Sequence, residues 1–120
     1  MKYLKVVSEG WISTVSINRP ESMNALSTEV LKEFCSLQER FRKDLETRVV
    51  IFTGEGENFS AGADLKEKAQ LSTKLESWRN NFGKPAIKSI LDIDQITIAA
   101  INGYCLGGAA CIASACDFRI

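Results

Sequence analysis

Residues 96–116 contain no charged side chain, and the turn dipeptide Asn102-Gly103 interrupts this apolar run. A stretch of this length can cross a bilayer as a helix. Gly103 and Gly107 also have the G-x-x-x-G spacing of paired membrane helices. The mid-segment turn, the glycines and the polar Thr97, Asn102 and Ser114 favour a different division. A strand over Gln95–Ile101, a turn at Asn102-Gly103 and a small-residue helix over Gly107–Ala115 explain every one of them. A membrane-anchored C-terminus is the competing reading.

The same order of apolar run and glycine turn occurs earlier. Val49-Val50-Ile51-Phe52 ends at Thr53-Gly54, and Glu55 to Gly62 reads as loop. Unbroken Val/Ile character predicts a strand covered on both faces, as in α/β proteins. Upstream, Leu4–Ser8 and Trp11–Asn18 are separated by Glu9-Gly10 and predict a tight hairpin. Arg19-Pro20 should end that pairing, because proline cannot donate to a ladder. Ser27 or Thr28 can then cap a helix over 28–45, with apolar residues Val30, Leu31, Phe34, Leu37, Phe41 and Leu45. Leu71, Leu75, Trp78 and Phe82 mark a second amphipathic helix. Gly83-Lys84-Pro85 should break it before Ile87, Ile90 and Leu91 resume the pattern.

Composition removes several function classes. The 120 residues are 45% hydrophobic and 25% charged, which suits a folded domain. Lys+Arg and Asp+Glu number 15 each with no basic arm, so electrostatic binding to nucleic acid is not expected. There is no histidine, hence no Ser-His-Asp or Cys-His nucleophile and none of the usual imidazole ligands of zinc. Cys35, Cys105, Cys111 and Cys116 form no C-x-x-C pair and read as reduced, largely buried thiols. The N-terminus lacks an apolar signal region, so an intracellular, cytoplasmic protein is expected.

Two turns carry candidate chemistry: Phe59-Ser60-Ala61-Gly62-Ala63-Asp64-Leu65 and Asn102-Gly103-Tyr104-Cys105-Leu106-Gly107-Gly108. Small side chains let another molecule approach the backbone, and N–H groups at a helix start are free to donate. Two such donors from separate turns can hold a carbonyl oxygen as it becomes an oxyanion. On the residues alone, tight turns and close helix–sheet packing explain the same glycines. Neither turn matches a nucleotide-binding pattern, and Glu55 and Glu57 would repel phosphate.

Ordered blocks along the chain resemble the crotonase superfamily of enoyl-CoA hydratases and isomerases. They are Ile17-Asn18-Arg19-Pro20, Met23-Asn24-Ala25-Leu26-Ser27, Arg48 to Gly54, Ser60 to Leu65, Asn102 to Gly108, and Ala115 to Ile120. The resemblance implies an α/β fold (α+β in some schemes) built as a repeated β-β-α superhelix. It implies that residues 1–120 are the N-terminal portion of a single domain, without the later acid-bearing and trimerisation segments. It further implies an acyl-CoA substrate whose thioester enolate is stabilised by the N–H groups of Ala63 and Gly108. Met23, Ala25, Ala61, Asp64, Leu65, Lys66, Leu106 and Gly107 would line the substrate path.

The main departure is Cys111. Hydratases of that family carry a glutamate three residues after the second oxyanion glycine, and a thiol cannot replace a carboxylate in positioning water. Hydratase or isomerase chemistry is expected, with isomerisation favoured by Cys111. Decarboxylation, dehalogenation, ring cleavage or a non-catalytic scaffold are the alternatives. The resemblance implies a trimer or a pair of trimers for the whole protein. It implies no cofactor beyond the coenzyme A thioester as substrate, no metal, and neither nucleic acid nor membrane as partner.

Overall fold

The computed structural model describes residues 1–70, 73–79 and 81–120. Five strands form one sheet in chain order: β1 Leu4–Glu9, β2 Ile12–Ile17, β3 Val49–Gly54, β4 Ile96–Ala99 and β5 Phe118–Arg119. β1 and β2 are an antiparallel hairpin closed at Gly10-Trp11, with Gly10 at φ 60°. The remaining neighbours are parallel. Parallel strands require crossovers, and helices supply them.

Between β2 and β3 run α1 (Thr28–Cys35) and α2 (Leu37–Arg42). Ser27, not Thr28, is the cap, its Oγ accepting the Val30 N–H at 3.3 Å. The continuous helix expected over 28–45 is instead divided at Ser36 and stops at Arg42, leaving Leu45 96% exposed. The division has a local cause and a distant one. Ser36 Oγ donates to the Glu33 carbonyl at 2.6 Å. Ser89 accepts the Gln38 N–H at 3.1 Å and donates to the Cys35 carbonyl at 3.3 Å. A side chain inserted into the helical ladder is a known cause of such breaks.

After β3 come α3 (Leu65–Ala69), α4 (Lys74–Arg79) and α5 (Gly83–Leu91); α4 lies within the helix expected over Leu71 to Phe82, and α5 carries the expected resumption at Ile87, Ile90 and Leu91. Gly83-Lys84-Pro85 begins α5 instead of only ending its predecessor, since proline fits a first turn whose N–H groups lack helical partners. Leu71 of the predicted apolar series lies outside the described residues. The uncharged run folds as strand β4, a turn and α6 (Gly108–Ala115). No helix among the described residues is long and apolar enough to cross a membrane.

The core lies on one side of the sheet. Val15, Ile17, Val50, Phe52 and Ala99 pack there against Val30, Phe34, Leu37 and Phe41 of α1 and α2, Ile90 of α5 and Ile112 of α6. Phe34 and Phe52 stack with ring centroids 6.1 Å apart. The expectation that β3 is covered on both faces is not met. Val50 and Phe52 are buried, whereas Val49 and Ile51 on the other face are only half-buried.

Candidate functional site

In an open α/β sheet, ligands bind beyond the carboxyl ends of the strands. Here the two glycine-rich turns leave the carboxyl ends of the adjacent parallel strands β3 and β4. Hydrogen bonds hold them side by side. Phe59 donates to the Asn102 carbonyl at 2.5 Å, Ser60 to Tyr104 at 2.9 Å, and Leu106 back to Ser60 at 3.2 Å. Asn58 Oδ1 accepts the Tyr104 N–H at 2.9 Å. The Asn102 side chain ties the same region to β3, donating to the carbonyls of Gly54 (2.8 Å) and Gly56 (3.0 Å).

A third segment flanks the first turn on its other side. Ala61 donates to Met23 (3.0 Å), Leu26 to Gly62 (2.7 Å), and Asp64 to Leu26 (3.4 Å). This short parallel bridge opposes Leu26 and Ala63. In such a bridge the opposed residue's own N–H faces away from its partner, so the Ala63 N–H turns from Leu26. No hydrogen bond among the described residues uses the Ala63 or Gly108 N–H. Gly108 is the first residue of α6, where a free N–H is inherent to helix geometry.

Ala63 and Gly108 line one cavity of about 460 Å³, together with Asp64 and Cys111. Its apolar wall includes Leu26, Leu31, Ile87 and Ile112. The remaining sequence-derived site residues are not among those lining this cavity. Met23 lines a separate cavity of about 510 Å³ with Glu55, Glu57 and Tyr104. Ala25 is buried, Ala61 is half-buried, and Leu65, Lys66, Leu106 and Gly107 are exposed.

Electrostatics around the cavity centre on Asp64. Its Oδ2 meets Arg19 Nη1 at 2.8 Å, and its Oδ1 accepts the N–H groups of Lys66 and Glu67, capping α3. The Arg19 hydrogen bond is the main reason its carboxyl titrates below the usual aspartate range. Cys111 is exposed at the cavity wall. The other thiols are half-buried at Cys35 and Cys105 and buried at Cys116. No group of three or more metal-ligating side chains occurs among the described residues.

Glu67 is the cavity residue that the sequence did not reveal. Its carboxylate accepts the Thr28 N–H at 2.9 Å and the Thr28 hydroxyl, tying α3 to the start of α1. Thirty-nine positions separate the partners, and no periodicity links them.

Comparisons with known proteins agree with this architecture. A model of the enoyl-CoA hydratase/isomerase family matches residues 8–120. The short-chain-enoyl-CoA hydratase of Clostridium acetobutylicum is 38% identical over 93% of this chain and 43% of its own length. The crotonyl-CoA hydratase of Syntrophomonas wolfei is 33% identical over the whole chain and 47% of its own. The crystal structure of an enoyl-CoA hydratase/carnithine racemase from Magnetospirillum magneticum superposes with a TM-score of 0.93 at 34% identity. It covers 99% of this chain and 46% of that one. The chain thus spans under half the length of these relatives. Family match and shared fold lead to one conclusion: the chain belongs to the enoyl-CoA hydratase/isomerase family.

Proposed function

We propose that this chain supplies the two-donor part of an acyl-CoA site, in which the N–H groups of Ala63 and Gly108 hold a thioester oxygen as an enolate forms. The observation that carries the reading is a pair of unspent N–H groups on the wall of one cavity, from turns hydrogen-bonded side by side. Fixed donors at the site of developing charge contribute about 10²–10³ each in rate, because they need no reorganisation during reaction. The apolar wall of Leu26, Leu31, Ile87 and Ile112 suits an acyl chain.

Cys111 favours double-bond isomerisation, since a thiol is a poor acceptor for holding an attacking water. Hydration is the second reading, favoured by the hydratase names of the relatives. Assay of the full-length protein with 2-enoyl-CoA and 3-enoyl-CoA thioesters separates the two. Binding of neither thioester overturns the acyl-CoA assignment. Gly108→Pro removes one donor at a first-turn position that tolerates proline, and it should lower the rate by about 10²–10³. Unchanged turnover would refute the donor role.

A further inference from the structure

Arg19 leaves the end of β2 and reaches Asp64, 45 positions later in the chain. Its Nη1 donates to Asp64 Oδ2 at 2.8 Å and to the Ala25 carbonyl at 3.3 Å. The guanidinium carbon lies 5.9 Å from the centroid of the Tyr3 ring. Only 20% of the Arg19 side chain and 13% of the Asp64 side chain are exposed. A pair this sheltered is screened far less by salt than a surface pair. The second carboxylate oxygen of Asp64 is fixed independently by the Lys66 and Glu67 N–H groups. One side chain is therefore clamped from two directions, and the peptide that carries it is the one next to Ala63.

We propose that Arg19 and Asp64 are a positioning pair that aims the Ala63 N–H into the cavity. The proposal rests on the two-donor reading above and assigns a positioning task to Asp64, at the cavity wall, and to Arg19, which does not line the cavity. Its chemistry follows from geometry. A donor acts on an oxyanion over 2.7–3.1 Å, and a displacement of about 1 Å can cost roughly a hundredfold in rate. Ala63 has no side chain able to correct its own direction. The Leu26 bridge holds it on one side and Asp64 on the other.

The test uses the full-length protein and variants that separate charge from capping. Asp64→Asn keeps an oxygen for the Lys66 and Glu67 N–H groups and removes the ion pair. Arg19→Gln removes the partner, and Arg19→Lys restores the charge. Each charge-removing variant should lose about ten- to a hundredfold in kcat with KM within about threefold, because an aimed donor acts mainly in the transition state. Combining Arg19→Gln with Asp64→Asn should cost no more than either alone, and Arg19→Lys should recover part of the loss. In parallel, the infrared carbonyl stretch of a bound ¹³C-labelled saturated acyl-CoA should lie lower than in water for the wild type. It should move back toward the water value in both charge-removing variants.

Wild-type kcat and wild-type carbonyl frequency in both variants would overturn the positioning role, as would strictly additive losses. Absence of any carbonyl shift in the wild type would instead refute the two-donor reading itself. Thermal melts identify a variant that fails to fold, and Asp64→Asn then carries the test alone.

Discussion

Gly62 lies so close to Leu106 that a Cβ added to it would stand 2.6 Å from the Leu106 carbonyl oxygen. Its φ of 94° is also outside the range open to L side chains. The glycine thus allows the turn bearing Ala63 to press against the turn that leads into Gly108. Gly62→Ala should cost about 1–3 kcal/mol from backbone strain, with the contact adding to it. It should also separate the two turns. Chemical denaturation measures the first effect and the infrared carbonyl shift of bound acyl-CoA the second. A variant matching the wild type in both would show that the close approach is unnecessary.

Asn24 is fully buried with φ 55°, beside Met23 at φ 54°. Its Oδ1 accepts the Arg19 N–H at 2.8 Å, and its Nδ2 donates to the carbonyls of Glu55 (2.9 Å) and Asn58 (2.7 Å). Asn24→Ala should destabilise by about 3 kcal/mol or more, since buried polar groups lose their partners. Asn24→Gly should recover about 1 kcal/mol of that, by relieving the left-handed backbone alone. Urea titrations of the two variants check the order, and an equal loss in both would remove the backbone contribution.

Ser89 links α5 to the break between α1 and α2 through Gln38 and Cys35. Ser89→Ala is expected to cost about 1–3 kcal/mol and to raise amide exchange at Gln38. Hydrogen exchange read residue by residue tests this. Unchanged protection at Gln38 would mean that the helix re-forms its own ladder across Ser36.

Burial pushes the Cys116 thiol up to about 11. An unfolded thiol titrates near about 8.5, so between these values the folded state holds a proton that the unfolded state has lost. The resulting stability is complete below the unfolded value and declines as pH rises toward 11. Comparing wild type with Cys116→Ala across this range isolates the effect from lysine and tyrosine titration. The wild-type advantage should shrink with rising pH, and a constant difference would disprove the linkage. At pH 8 an alkylating agent should modify the exposed Cys111 well before Cys116.

The order of strands and helices was largely legible along the chain. Val30, Phe34, Leu37 and Phe41 bury one helical face at the expected spacing, and Asn102-Gly103 divides β4 from α6 as its turn chemistry requires. Two errors share a cause. The helix ends before Leu45, and a serine from α5 enters its break, so neighbours distant in sequence override the local apolar period. The half-covered face of β3 likewise depends on what packs against it, which Val and Ile content does not specify.

Sequence by itself determined the periods of the strands and helices, the glycines at both turns, the family blocks and the departure at Cys111. These are local properties, set by side-chain shape and backbone freedom. Tertiary structure alone decided that Ala63 and Gly108 share a cavity, that Arg19 grips Asp64, and that Glu67 closes on Thr28. Each of these depends on parallel strand pairing that joins segments some forty positions apart, and no spacing within either segment encodes its partner.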